Sequence, residues 1–312
     1  MQISPKAFAQ SLGLTLVGPA LGEELPSIRV AEINRPGLQF AGYFDVFAYE
    51  RPQLIGLAEI SYLKSLDEET ARLRLKQFFS YPIPCVIVSR GLDCPEALLY
   101  SAGQAGVPVY MTRERTSSFA SKVMFYLSEV FAPRKTEHGV LMDVYGQGIL
   151  IKGESGIGKS ECALELLNHG HQLIADDVVD VIRIGEDLFG EAPDTVRDLM
   201  ELRGVGIVDI KKIYGIGAVE HRKHIDLVIS IEMWSEGKHY DRLGSGDKRI
   251  EILDVSLPLL EVPVRPGRSL ATIVEIAARS WSLRAEGYSA AEELDRRLRE
   301  RYQRESYLSG RE

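Results

Sequence analysis

A two-domain α/β fold is what this chain predicts, and three observations carry that expectation. Its 312 residues exceed what one compact core usually holds, since a domain averages about 150 residues. Between residues 84 and 131 apolar runs alternate with helical patterns, the order that builds a partly parallel sheet. Near residue 153 an apolar run passes through a glycine-rich turn into an amphipathic helix. Hydrophobic residues at 45% and charged residues at 26% are ordinary globular usage, which excludes disorder as the global state.

The first domain is expected over residues 1–131 as a mixed α/β unit. Short β-rich runs, LTLVG, GYFDVFAY and PQLIG, are broken by Gly and Pro, and a helix follows over residues 67–79. From Pro84 come the run CVIVS, a helix opened by Asp93 with Pro95 in its first turn, the run VPVYM, and an amphipathic helix over residues 117–131. No catalytic cluster stands out there. The polar segment APRKTEHG reads as a linker or boundary, which places the division near Phe131 and the second domain over residues 132–312. At the far end AAEELDRRLRERYQRES reads as a solvated amphipathic helix, with docking on a neighbouring subunit as the alternative.

No run approaches the roughly 18 uninterrupted apolar residues of a membrane helix, and the start, MQISPKAFAQSLGL, lacks the order of a secretory signal. A cytoplasmic protein with no membrane partner is expected. A net charge of -8 disfavours nucleic acid, because neutralising phosphates needs a basic surface, although a local basic pocket stays open. Cys85, Cys94 and Cys162 have no metal-ligand spacing and read as buried thiols.

The sharpest feature is Gly153, Glu154, Ser155, Gly156, Ile157, Gly158, Lys159 and Ser160, which fits G-x-x-x-x-G-K-[ST]. Chance would produce that match about once in a hundred chains of this size and composition. It follows a strand-like run at 148–151 and precedes ECALELLNHG, a helical pattern ended by Gly170. Glycines let backbone N–H groups converge on phosphate oxygens, and the helix start adds its unsatisfied donors and positive dipole end. Lys159 supplies a mobile charge and Ser160 a hydroxyl for Mg²⁺ between phosphates.

Phosphoryl transfer also needs a base and oxygen ligands for the metal. Asp176 and Asp177 close a short apolar run where α/β proteins display site residues. One carboxylate is suited to organising metal or loop and the other to acting as base; a capped, solvated turn is the plain alternative. Glu201 and Arg203, two residues apart in ELRGVGIVDI, suit metal and phosphate respectively, or else form a plain salt-bridged strand. Arg242 in YDRLG, with Arg265 and Arg268 in VPVRPGRS, adds guanidiniums on loops fixed by Pro and Gly; solvated connectors are the competing reading. His138 alone would be structural, and His169, His171, His221, His224 and His239 form no defensible metal set.

Together HGVLMDVYGQGILIKGESGIGKSECALEL, the ADD that follows, MELRGVGIVDI, YDRLG and VPVRPGRSLA closely resemble the bifunctional HPr kinase/phosphorylase family of bacteria, densely in the second half and more loosely in the first through RPGLQFAGYFDVF and RPQLIG. The resemblance implies a P-loop kinase-like α/β domain distantly similar to phosphoenolpyruvate carboxykinase. It implies a serine-protein kinase that uses ATP or pyrophosphate with Mg²⁺ to phosphorylate HPr, the small phosphocarrier of the sugar phosphotransferase system. In reverse, inorganic phosphate attacks phosphoserine-HPr and releases pyrophosphate, a control on carbon metabolism and catabolite repression. Residues 153–160 would then bind nucleotide, Ser160 and Glu201 would ligate magnesium, and Asp177 would accept the serine proton and later return it. His138, Lys159 and Arg242 match the remaining active-site positions, residues 200–209 matter in both directions, and residues 263–268 are associated with dephosphorylation. Ser269 stands where many relatives carry Asn. A homohexamer is the family's habit.

Two other functions share part of these features. A small-metabolite kinase would add a lid and a compact acceptor pocket, and a nucleotide-dependent switch would bind without transfer. The acceptor that becomes labelled separates the first, and Asp177→Asn separates the second.

Overall fold

The computed structural model describes residues 2–18, 25–235, 248–264 and 269–309. The chain divides into two compact units, Met1–Ala132 and Pro133–Glu312.

The first unit runs α1 (Pro5–Ser11), β1 (Thr15–Leu16), α2 (Gly37–Phe40), β2 (Gln53–Ile55), α3 (Leu57–Ser65), α4 (Glu68–Phe78), β3 (Val86–Val88), α5 (Glu96–Ala105), β4 (Val109–Met111) and α6 (Thr116–Val130). Its sheet has the order β1-β4-β3-β2, with β2, β3 and β4 parallel and β1 antiparallel at the edge. The β-α-β-α alternation thus forms the expected partly parallel sheet. Asp67 caps α4 by accepting from Thr70 N at 2.9 Å, which is why that helix starts where the sequence says. Pro95 sits as the cap before α5 rather than inside its first turn.

GYFDVFAY forms no strand. Phe44, Phe47 and Tyr49 all pack against Tyr81, and Phe47 also meets Phe78 of α4. Aromatic residues favour strands because they fit a half-buried pleated surface, but here Phe44 and Phe47 pack, partly buried, against the edge of the first unit's core, and Tyr49 stays exposed. Cys85 is buried as expected, whereas Cys94 is only half-buried.

The second unit runs β5 (Arg134–His138), β6 (Val140–Val144), β7 (Gln147–Gly153), α7 (Lys159–Asn168), β8 (Gln172–Ala175), β9 (Val178–Ile184), β10 (Asp187–Glu191), β11 (Leu199–Leu202), β12 (Gly206–Asp209), α8 (Ile210–Tyr214), β13 (Arg222–His224), β14 (Leu227–Met233), β15 (Arg249–Ile252), β16 (Val255–Val264), α9 (Leu270–Ala285) and α10 (Ala290–Ser309). A six-stranded sheet, β15-β16-β14-β7-β6-β8, holds β7, β14 and β16 parallel. Ile149 and Ile151 face Cys162, Leu166 and Val274 from α7 and α9, while Leu150 faces Val179, Val181 and Leu188 of the four-stranded sheet β13-β10-β9-β5. Burial on both faces explains the unbroken apolar run GILI.

The two compact units divide within the segment expected to be a linker or boundary, but most of that segment is a strand. Residues 134–138 pair antiparallel with β9, and only Glu137 among them is buried. A polar edge strand carries the composition of a loop, which hides it from composition-based reading.

Candidate functional site

β7 delivers the chain at Gly153 and α7 takes it up at Lys159. Gly158 is the residue before the helix, at φ 104°, and among the described residues no side chain caps the helix start. Gly156 has φ 83°, and a Cβ there would lie 2.9 Å from Arg203 Nη2. Both positions need glycine, one for its backbone angle beneath the helix donors and the other also for the approach of a guanidinium. Lys159 curls over the loop and donates from Nζ to the carbonyl oxygens of Gly153 at 2.9 Å and Glu154 at 3.0 Å.

Ser160 Oγ donates to Asp176 Oδ1 at 2.9 Å, and Asp176 Oδ2 accepts from Glu201 N at 3.3 Å. Burial pushes the Asp176 carboxyl above its ordinary range, and the neighbouring Asp177 charge adds to this, against the hydrogen bonds that favour its anion. Asp177 is exposed. Its φ is 63°, and Val178 N donates to Asp176 O at 2.7 Å, closing a three-residue turn around Asp177. A non-glycine residue in that region costs on the order of 1–2 kcal/mol. The turn lets two adjacent carboxylates line the same cavity, although one is buried and one exposed.

That cavity, about 180 Å³, brings together Ser155, Gly156, Gly158, Lys159, Ser160, Asp177 and Glu201 from the expected set, along with Asp176 and Arg203. Glu161 also lines it and was missed, because a glutamate in the first turn of a helix reads as a favourable charge at the dipole. Gly153, Glu154 and Ile157 build the loop without lining the cavity. His138 is exposed at the end of β5, in register with Val178 beside Asp177, and is not among the lining residues. Arg242, Arg265 and Arg268 lie outside the described residues.

Ser160, Asp176 and Glu201 all line the cavity and carry side-chain oxygen donors. Among the described residues no three His, Cys, Asp or Glu side chains converge as a ready-made metal site. Mg²⁺ keeps several waters and takes one or two carboxylates plus phosphate oxygens, so this hard, incomplete donor set fits it.

Comparison with known proteins matches the family models described as HPr Serine kinase N terminus over residues 3–127 and HPr Serine kinase C-terminal domain over residues 129–298. An HPr kinase/phosphorylase of Caldanaerobacter subterraneus subsp. tengcongensis is 46% identical over 298 residues, covering 95% of this chain and 97% of its own. That of Alkaliphilus metalliredigens is 47% identical over 272 residues, covering 87% and 88%. The solved structure of the Hpr(Ser) kinase/phosphatase from Coxiella burnetii is 32% identical, spans 51% of this chain and 98% of its own, and has a TM-score of 0.47. With both family models matched in order and relatives this similar along nearly the whole length, the chain belongs to the HPr kinase/phosphorylase family.

Proposed function

We propose that the cavity at the start of α7 phosphorylates a serine of HPr from ATP or pyrophosphate and, in reverse, passes that phosphoryl group to inorganic phosphate. The observation that carries the reading is that Lys159, Asp177 and Glu201 share one cavity in front of a helix start with no cap of its own.

Backbone N–H groups of residues 156–160 and the dipole of α7 bind the donor's phosphates, with the Lys159 ammonium as a movable counter-charge. Ser160, Asp176 and Glu201 would hold Mg²⁺, which when bound neutralises charge on the phosphate oxygens. Asp177 accepts the proton of the serine hydroxyl as the hydroxyl oxygen forms the new bond to phosphorus and the bond to the leaving ADP, or to phosphate when pyrophosphate is the donor, breaks. In reverse, inorganic phosphate forms that bond, the serine oxygen leaves, and Asp177 returns the proton to it, giving HPr and pyrophosphate. Arg203 stabilises the equatorial oxygens in both directions. His138 and Arg242 complete the site in this reading. It also makes the enzyme a cytoplasmic homohexamer that controls carbon metabolism; no helix among the described residues is long and apolar enough to cross a membrane.

The test mixes the enzyme with HPr and Mg-ATP, follows phosphoserine by mass spectrometry, then adds excess phosphate and assays pyrophosphate. Asp177→Asn should lower transfer by about 10²–10⁴-fold while ATP binding by calorimetry stays within about twofold. Undiminished transfer by that variant rejects Asp177 as the base.

A further inference from the structure

Residues 137–139 carry the chain from β5 into β6, and so from the four-stranded sheet of the second unit into the six-stranded one. Glu137 is 8% exposed. Its Oε2 meets Lys152 Nζ at 2.6 Å and its Oε1 meets Lys135 Nζ at 2.7 Å. Lys152 is the residue before Gly153, so the first of these ion pairs crosses between the sheets at the root of the phosphate loop. Two residues on, Gly139 N donates to Asp177 O at 3.0 Å. A Cβ at Gly139 would lie 2.6 Å from the Ile151 carbonyl oxygen, so the backbone there runs directly against β7. His138 stands exposed between the two ties.

We infer that Glu137 and Lys152 are positioning residues, whose ion pair holds the root of the phosphate loop at a set distance from Asp177 through residues 137–139. The inference rests on the kinase reading of the cavity. β7 is laddered on both sides, to β6 and β14. Among the described residues β5 is an edge strand that pairs with β9 alone, in the other sheet. The apolar packing of Leu150 on Val179 and Val181 holds the two sheets together, and next to the phosphate loop the close pass at Gly139 and this ion pair add the ties between β5 and β7. Lys135 lies on the same strand as Glu137, so it neutralises the carboxylate without joining the sheets. An ion pair with a buried carboxylate is a costly way to fill space, and its use here is to fix one arrangement. In-line transfer is sensitive to that arrangement, since misplacement by about 1 Å costs about 10²-fold in rate.

The test uses the full-length enzyme with Lys152→Met and Lys152→Arg, measuring kcat and KM for ATP with saturating HPr, alongside thermal melting. Expected for Lys152→Met is a loss of kcat by about 10- to 100-fold with KM for ATP within about twofold and melting little changed; Lys152→Arg, which keeps the charge and the reach, should recover most of the rate. Wild-type kcat in Lys152→Met overturns the inference, as does an arginine variant no better than methionine, or a loss that falls on ATP affinity instead of kcat. If Lys152→Met does not fold, Glu137→Gln makes the same test with a smaller fall in kcat, and wild-type kcat there overturns it. If the wild-type enzyme transfers nothing to HPr, the kinase reading fails by itself. Amide exchange of the segments at 138–142 and 176–180 then decides: faster exchange in Lys152→Met, with Lys152→Arg like wild type, supports the tie, and equal rates refute it.

Discussion

Two helices in this molecule begin just after a parallel strand and a glycine, and they treat their free N–H groups in opposite ways. At α3, which follows β2 and Gly56, the Glu59 carboxylate folds back to accept from Gly56 N at 2.9 Å, and Arg35 donates to both its oxygens at 2.8 and 2.9 Å. At the end of the adjacent β3, Ser89 and Thr116 hydroxyls bond each other at 2.8 Å. The carboxyl ends of these strands, where open α/β sheets bind ligands, are closed by the protein's own groups. At α7, Gly158 offers no side chain, and among the described residues none donates or accepts a capping hydrogen bond at the helix start. The same strand-glycine-helix order thus gives a sealed corner in one unit and, in the other, the open helix start proposed as the anion site. The deciding difference is a resident carboxylate: Glu59 occupies at α3 the place a phosphate would take at α7.

The contrast breaks most severely at Lys159. Lys159→Ala leaves the donors of α7 in place but removes the ammonium of the phosphate loop, and phosphoryl transfer should fall by about 10²–10³-fold in both directions, measured on HPr and on phosphoserine-HPr. Near-normal transfer would mean that the open helix start does not bind the reacting phosphates. Next in size is Glu59→Ala, which reopens α3. Its loss leaves the buried Gly56 N–H without a partner, and should destabilise the first unit by about 2 kcal/mol. Hydrogen exchange of β2 and α3 amides in urea reports this. The rate per folded molecule should stay within about twofold, because Glu59 has no part in the second unit's cavity.

The phosphate loop and its helix were legible because glycine at fixed spacing, a lysine and a hydroxyl serve one local geometry that needs no distant partner. The same locality made Asp67 readable as a helix start. What the residues hid depends on contacts between distant segments. The rings of residues 43–50 look like strand formers until Tyr81 is known to meet them. Residues 134–138 look like a linker until β9 appears beside them. Asp176 and Asp177 were expected to divide two roles, but which of them is buried follows from a left-handed turn that no pattern announces. Glu137 and Lys152, fifteen positions apart and unremarkable alone, acquire meaning only when the two sheets bring them to 2.6 Å.

The smallest effect separates an acid that serves as a cap from one that lines a cavity. Asp67 begins α4, and its carboxyl is held below the ordinary aspartate range, first by the Thr70 backbone N–H and then by the Thr70 hydroxyl. A depressed folded value means that the anion stabilises the fold. That contribution is complete above the ordinary value of 3.8 and is lost as pH falls through the depressed one. Asp176 shifts in the opposite direction, because burial disfavours its anion. Asp67→Asn keeps a capping oxygen at every pH. At pH 7 its first unit should therefore match wild type closely, and below the depressed value it should be the more stable of the two. Urea midpoints read from hydrogen exchange of α4 at neutral and acid pH check this. Parallel curves for the two proteins would show that the Asp67 charge does not hold the start of α4, and that α4, like α7, begins without help from a carboxylate.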